Sequence, residues 1–297
     1  YNDNVRRFVK LGIPGVISGG ITQINIVVGT IIASMQASAV SWLYFADRIY
    51  QLPLGVIGVA IGVVLLPDLT RRVRTENTES IFHTQNRALE FAMALTLPAT
   101  VALCAIPYSI MRVLFERGAF TAADTVATAD ALIAFAAGLP AFVAIKVFQP
   151  SFYAREDTRT PTIQGGISVA VNVAASLALF PFIGHVGIAA ATSLAAWVNA
   201  LMLVIELRRR GHFRADTLLI RRLVLLAVAS LVMGAALLLG EGLVDAHLHS
   251  GRELIQILWL LGLCFFGMAV YGLATVLTGA VDVRRYIKAI AARGKTG

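Results

Sequence analysis

Eight mostly apolar runs of about twenty residues or more follow one another along the chain, at 12–35, 40–66, 88–111, 126–149, 162–183, 187–207, 219–240 and 254–278. Each is long enough for an α-helix, rising about 1.5 Å per residue, to cross a hydrocarbon core about 30 Å thick. A bilayer offers no water to backbone amides, so each span must satisfy its own, and the strict alternation of a β-barrel is absent. The connections are short and carry charge, Pro or Gly, as in Leu66-Pro67-Asp68 and in residues 155–161, and they leave no room for a soluble domain. With 58% hydrophobic and 14% charged residues and a mean hydropathy of +0.77, the chain has too little charge to clothe a water-facing surface. The expected fold is all-α, a polytopic membrane helical bundle of about eight transmembrane helices.

The excess of 25 Lys and Arg over 17 Asp and Glu raises nucleic acid as a partner, but the placement of the cations speaks against it. If the N-terminus is cytoplasmic and the spans alternate, 20 of the 25 fall on the cytoplasmic side, in clusters such as Arg71, Arg72, Arg74 and Arg208, Arg209, Arg210. Only Arg112, Arg117 and Arg252 fall opposite, while Arg48 and Lys146 lie inside spans. Such asymmetry is what membrane insertion demands, so both ends of the chain are expected on the cytoplasmic side of a bacterial inner membrane, with no nucleic-acid partner. Cys104 and Cys264 sit inside apolar runs, and His247 and His249 in a short polar connection, so neither a metal nor a cofactor is expected. The chain begins at Tyr1 with no charged-then-apolar leader and reads as a piece of something longer.

A central Arg in a span costs at least about 2.5 kcal/mol on insertion scales, so the polar residues that the spans retain carry information. In the second span Tyr44, Arg48 and Gln51 fall at i, i+4 and i+7 and share a face, which is expected to look into a cavity. Asp47, about 100° round the helix, is expected to pair with a neighbouring helix or with the outer interface rather than with Arg48. Outward snorkelling is the alternative for Arg48, which stands about 12 Å from the outer end of its span. The first span carries Ser18, Thr22, Asn25 and Gly29 with Gln23 beside them, as helix packing or as cavity wall. The fifth span repeats the pattern with Gln164, Ser168, Asn172 and Ser176, the sixth adds Thr192 and Asn199, and together they suggest a hydrated interior.

Lys146, toward the cytoplasmic end of the fourth span, reads as a structural cation snorkelling to the interface. Pro53, Pro98 and Pro140 are expected to kink their spans. Candidate cavity-lining residues are Tyr44, Gln51, Gln23, Asn25 and Asn172, with Arg48 as the candidate substrate contact. No nucleophile with a nearby base and no phosphate-cradling glycine loop appears, so the chain is not expected to be an enzyme.

Three stretches bring a family into view. Phe8 to Pro14 with Gln23-Ile24-Asn25 and Ala33-Ser34 resembles the seventh helix of the MurJ (MviN) lipid II flippases. Trp42 to Val56, continuing to Leu65-Leu66-Pro67, is similar to that family's eighth-helix signature. Lys146 to Pro161, with Phe152-Tyr153-Ala154-Arg155 and Asp157-Thr158-Arg159-Thr160-Pro161, resembles its tenth-helix exit loop. The resemblance implies a fourteen-helix member of the multidrug, oligosaccharidyl-lipid and polysaccharide exporter superfamily, built as two six-helix lobes plus two further helices. Residues 1–211 would be the second lobe, and residues 212–297 the two additional transmembrane helices with a basic cytoplasmic tail.

The implied activity is transport without covalent chemistry. Lipid II, an undecaprenyl-pyrophosphate-linked disaccharide-peptide, would cross the inner membrane by alternating access to supply peptidoglycan for cell-wall biogenesis and cell shape. The implied partners are lipid II, membrane lipids and the missing N-terminal lobe of the same protein. Arg48 stands where the family places an essential arginine of the central cavity, near the pyrophosphate, and the last two helices would form a groove for the lipid tail. Two positions depart from the pattern. Gln51 replaces a carboxylate found in some members, and Gly29, with Ser176 beside Asn172, stands where others bind sodium, so that sodium site is not expected. Competing functions are an O-antigen lipid flippase, a drug/cation antiporter or a non-transporting scaffold for cell-wall enzymes. The Ala46-Asp47-Arg48 signature and the loop from Asp157 to Pro161 argue against the other two transporters.

Overall fold

The computed structural model describes residues 20, 23, 25–74, 78–248 and 253–279, and every regular element among them is helical. A helical segment at 25–33 precedes α1 (Ala39–Arg74), α2 (Thr78–Ala105), α3 (Pro107–Phe115), α4 (Ala122–Ala136) and α5 (Leu139–Tyr153). Then come α6 (Arg159–Ile183), α7 (His185–Arg209), α8 (Thr217–Leu248) and α9 (Glu253–Leu277). Among the described residues six stretches are long and apolar enough to cross a membrane: Glu79–Ala105, Ala122–Tyr153, Arg159–Ile183, His185–Arg209, Thr217–Leu243 and Glu253–Leu277. Of the other two expected spans, 40–66 falls within α1, and the first part of 12–35 lies outside the described residues. Large apolar side chains on the outer surface, such as Phe182, Ile205, Leu231, Leu239 and Phe265, suit hydrocarbon and not water. The chain is a multi-pass membrane protein.

Two runs that look continuous in sequence are broken. The run at 88–111 is instead a helix that begins ten residues earlier, ends at Ala105, and restarts as α3 behind Ile106, whose φ and ψ are −125° and 43°. Pro107 is the cause, because its ring disfavours the helical conformation in the residue before it and it starts a helix well. The run at 126–149 divides into α4 and α5 at Ala137 and Gly138, just ahead of Pro140. The carbonyls left at this break find donors on α7. Ser193 Oγ donates to the Ala134 carbonyl and Trp197 Nε1 to that of Ala137 at 3.0 Å. The approach demands Gly138, since a Cβ there would stand 2.8 Å from Ser193 Cα.

Helix α1 runs for 36 residues, about 54 Å, and lies against α2, α4 and α5. Its buried Leu65 and Leu69 join Phe152, Leu203, Leu207 and Leu219 in one cluster, while Ala46, Ile49 and Tyr50 join Met111, Leu132 and Leu139 in another. The last pair packs on this core instead of standing apart. Gly234 of α8 meets Val101 of α2, Gly240 and Gly267 bring α8 and α9 together, and the Tyr271 hydroxyl donates to the Ala94 carbonyl at 2.6 Å.

Charge separates the two ends of the bundle. At one end Arg87 pairs with Asp216 at 2.7 Å, Arg222 with Glu90, and Arg210 with Asp157 at 2.7 Å. At the other, Arg112 pairs with Glu116 and Arg117 with Glu253, each at 3.6 Å. The connections that alternation places on one side of the membrane thus meet at one end of the molecule.

Candidate functional site

The site begins with how α1 divides its faces. Ala46, Ile49 and Tyr50 are buried, and the Tyr50 ring stacks on Phe135 with centroids 5.3 Å apart and planes 11° from parallel. Phe45 wedges against Phe115 and Phe120 at 4.8 and 5.5 Å. With that side committed to α3, α4 and α5, Tyr44, Arg48, Gln51 and Gly55 are left exposed on the opposite face. The guanidinium carbon of Arg48 lies 4.6 Å from the centre of the Tyr44 ring, a cation over an aromatic face one turn back.

Asp47 finds its partner on its own helix, not on a neighbour as the pattern suggested: Gln51 donates its amide to the Asp47 carboxylate. Residues four apart are neighbours on a helix surface, so a 100° offset from Arg48 still leaves Asp47 within reach of Gln51. Among the described residues neither Arg48 nor Lys146 has a carboxylate within ion-pair distance. Asp47 still acts on Arg48 through its charge, so among the described residues the two cations lack only a contact ion pair, and a bilayer tolerates such groups where water or an anion is at hand.

Continuous with this face is a cleft of about 510 Å³ between α1 and α5, lined by Gln51, Gly55, Gly58, Phe142, Lys146 and Gln149 among others. Lys146 is therefore a cleft residue and not simply an interface anchor. Its stem crosses α1 at Gly58, where a Cβ would stand 2.7 Å from Lys146 Cδ and 2.9 Å from Cε. The signal that could have found it was the small-residue row Gly55 and Gly58 beyond Gln51, which leaves space for a long side chain from a neighbour.

The other candidates do not gather around Arg48. Gln23 is exposed and Asn25 half-buried ahead of α1, and neither lines the cleft. Asn172 is buried between α6 and α7, where its amide faces Thr192 Oγ1 at 3.5 Å and its oxygen accepts from Ser176 at 3.1 Å. The rest of that row behaves alike: Gln164 donates to the Met202 carbonyl at 3.3 Å and Ser168 to that of Ala195 at 2.8 Å. The row that suggested a hydrated interior binds α6 to α7, because a one-residue turn at Gly184 folds the two helices antiparallel with these polar groups facing α7.

The exit loop after α5 is also held by specific bonds. Asp157 accepts from the Thr160 amide at 3.0 Å, the Thr160 hydroxyl at 2.7 Å and Arg210 Nη1 at 2.7 Å. Burial pushes the Asp157 carboxyl up, but the bonds from Thr160 and Arg210 outweigh it and hold the group below its ordinary value. Hydrogen bonds to Asp157 and Glu206 raise Arg210 in turn.

Against known families, residues 1–270 match the family model described as lipid II flippase MurJ. The chain belongs to the MurJ family. The probable lipid II flippase MurJ of Rhizobium tropici is 47% identical over 292 residues, covering 97% of this chain and 55% of that protein. The corresponding protein of Rhizobium meliloti (strain 1021) is also 47% identical, over 96% of this chain and 54% of its own length. This MurJ-family chain thus spans about half the length of the curated relatives it matches. A solved structure titled lipid II flippase MurJ, inward closed conformation, superposes with a TM-score of 0.74 at 26% identity, over 96% of this chain and 56% of that one. A MATE structure in the bent conformation shares the fold alone, with a TM-score of 0.60 at 15% identity over 93% of this chain and 65% of that one.

Proposed function

We propose that the protein to which this chain belongs flips lipid II from the cytoplasmic to the periplasmic leaflet by alternating access, and that this chain supplies the second of two lobes. The observation that carries the proposal is the open face of α1, where Arg48 is exposed without a contact ion pair among the described residues in a MurJ-family fold. A planar guanidinium can donate two parallel hydrogen bonds to phosphate oxygens, and a pyrophosphate would supply an anion at contact distance from Arg48. Gln51 and Tyr44 complete that wall. Residues 1–211 form the transporter lobe and residues 212–297 the added helix pair with its basic tail. Phe213 and Leu219 share a hydrophobic cluster with α1, α2, α5 and α7, which supports the two parts working as one body. Both ends of the chain face the cytoplasm, in line with the cation split.

The deciding experiment uses the full-length protein, both in cells depleted of their own flippase and in liposomes carrying lipid II. Restored growth together with lipid II appearing at the outer leaflet is the expected result, and this chain in isolation should insert without flipping, because alternating access needs two lobes. Growth restored without translocation in liposomes would move the protein to the scaffold class. In the same cells a cysteine at position 119 should react with an impermeant thiol reagent and one at position 209 should not, and the reverse pattern would invert the topology.

A further inference from the structure

Lys146 remains the least explained charge in the molecule. A cation at the water interface has no need of a shaped seat, yet this one has been given one. Its stem lies across Gly58 at distances that no larger residue would leave open, and its ammonium stands in the α1–α5 cleft. Among the described residues no carboxylate lines the cleft, and Asp47 stands beside it, hydrogen-bonded by the cleft residue Gln51. The lining of the cleft that Lys146 shares includes apolar groups such as Phe142 and Ile145 and the neutral amides of Gln51 and Gln149. Apolar walls strengthen the field of an unpaired cation, and neutral amides can add hydrogen bonds without cancelling its charge.

We infer that Lys146 is a second phosphate-binding station, seated over Gly58 and separated from Arg48 by ten residues of α1, about 15 Å along the helix. Lys146 and Arg48 are thus seated about three helical turns apart along α1. They act in succession, with Lys146 nearer the end of the bundle that carries the Asp157–Arg210 clasp and Arg48 nearer the opposite end. A lysine is a point charge with rotatable donors, suited to holding a phosphate without fixing its orientation, whereas Arg48 offers a planar fork. A group that loads an anion and then releases it to a stronger site needs the former character.

The choice of a polyprenyl pyrophosphate as ligand rests on the transport function proposed above, but the anion site stands on its own geometry. The test measures equilibrium binding to the purified full-length protein of three probes: a polyprenyl pyrophosphate, inorganic pyrophosphate and an uncharged polyprenol. Lys146→Met and Lys146→Gln should each weaken the pyrophosphate lipid about tenfold or more, the effect of losing one hydrogen bond to a charged group, and leave the polyprenol unchanged. Lys146→Arg should keep binding within about threefold, since charge survives. Gly58→Ala, which shifts the stem and keeps the charge, should weaken binding by less than loss of the ammonium. If inorganic pyrophosphate shows the same dependence on Lys146, the station reads the anion alone; if only the lipid does, the tail contributes to the same site. Equal binding of the pyrophosphate lipid by wild type and both neutral variants would overturn the station. A wild-type protein that binds through Lys146 yet moves no lipid would sink the transport proposal and leave the station intact.

Discussion

On α6, Gln164, Ser168, Asn172 and Ser176 recur every four residues, and the first three reach a carbonyl or hydroxyl of α7. On α1, Tyr44, Arg48, Gln51 and Gly55 recur at intervals of four, three and four residues, and the face they form is exposed and opens into the cleft beside α5. The two rows look alike in sequence and are used in opposite ways. A row of small hydroxyl and amide groups allows a neighbouring backbone to approach and then hydrogen-bonds to it, which is how membrane helices adhere in the absence of a hydrophobic drive between them. A row that carries Arg and Tyr is too bulky for such an approach and too polar for lipid, so it persists facing water or a ligand. The side chains, more than the period, separate packing from function.

The largest effect is expected at the open row. In the full-length protein Arg48→Ala should cut transport by about tenfold or more, from loss of a charge-assisted contact, while membrane abundance stays near normal. Arg48→Lys should recover part of it, since the charge returns without the fork. Growth rescue and protein level are measured together. A fully active Ala variant would remove the functional half of the contrast, and loss of protein along with activity would make both rows structural.

A smaller effect is expected where α6 begins. Asp157 satisfies the Thr160 amide and clasps Arg210, so Asp157→Asn should lower stability by about 1 kcal/mol near pH 7, in the range of helix-end contacts. The sign with pH follows from a folded-state value held below the unfolded one of about 3.9. The stabilisation is complete above the unfolded value and is lost as pH falls through the folded one. Melting curves of wild type and variant should therefore converge as the pH falls below the unfolded value of about 3.9 and through the lower folded one. Curves that stay parallel from pH 7 to the acid limit would show that the carboxylate charge contributes nothing to the clasp.

The smallest effect belongs to the closed row. Ser168→Ala should cost about 0.6 kcal/mol, the average worth of a hydrogen bond between membrane helices, with transport unchanged. Loss of transport at unaltered stability would instead put the α6 row on the substrate path and erase the contrast between the two rows.

Much of this molecule was legible in the residues alone. The apolar runs foretold a helical membrane bundle, since no other use of so much hydrocarbon leaves every backbone amide satisfied. The i, i+4 spacing put Tyr44 and Arg48 on one face, and the ring now lies 4.6 Å from the guanidinium carbon. Pro140 pointed to a kink in its span, where the structure has a full break between α4 and α5. Local rules settle such matters because helix geometry, insertion cost and proline sterics act within a few residues of one chain. Only the tertiary structure decided that Asn172 faces Thr192, that Lys146 crosses α1 at Gly58, and that Ser193 and Trp197 of α7 serve the broken end of α4. Each depends on which helix lies opposite and how closely, and residues far apart in sequence set that distance through the volume of the side chains between them.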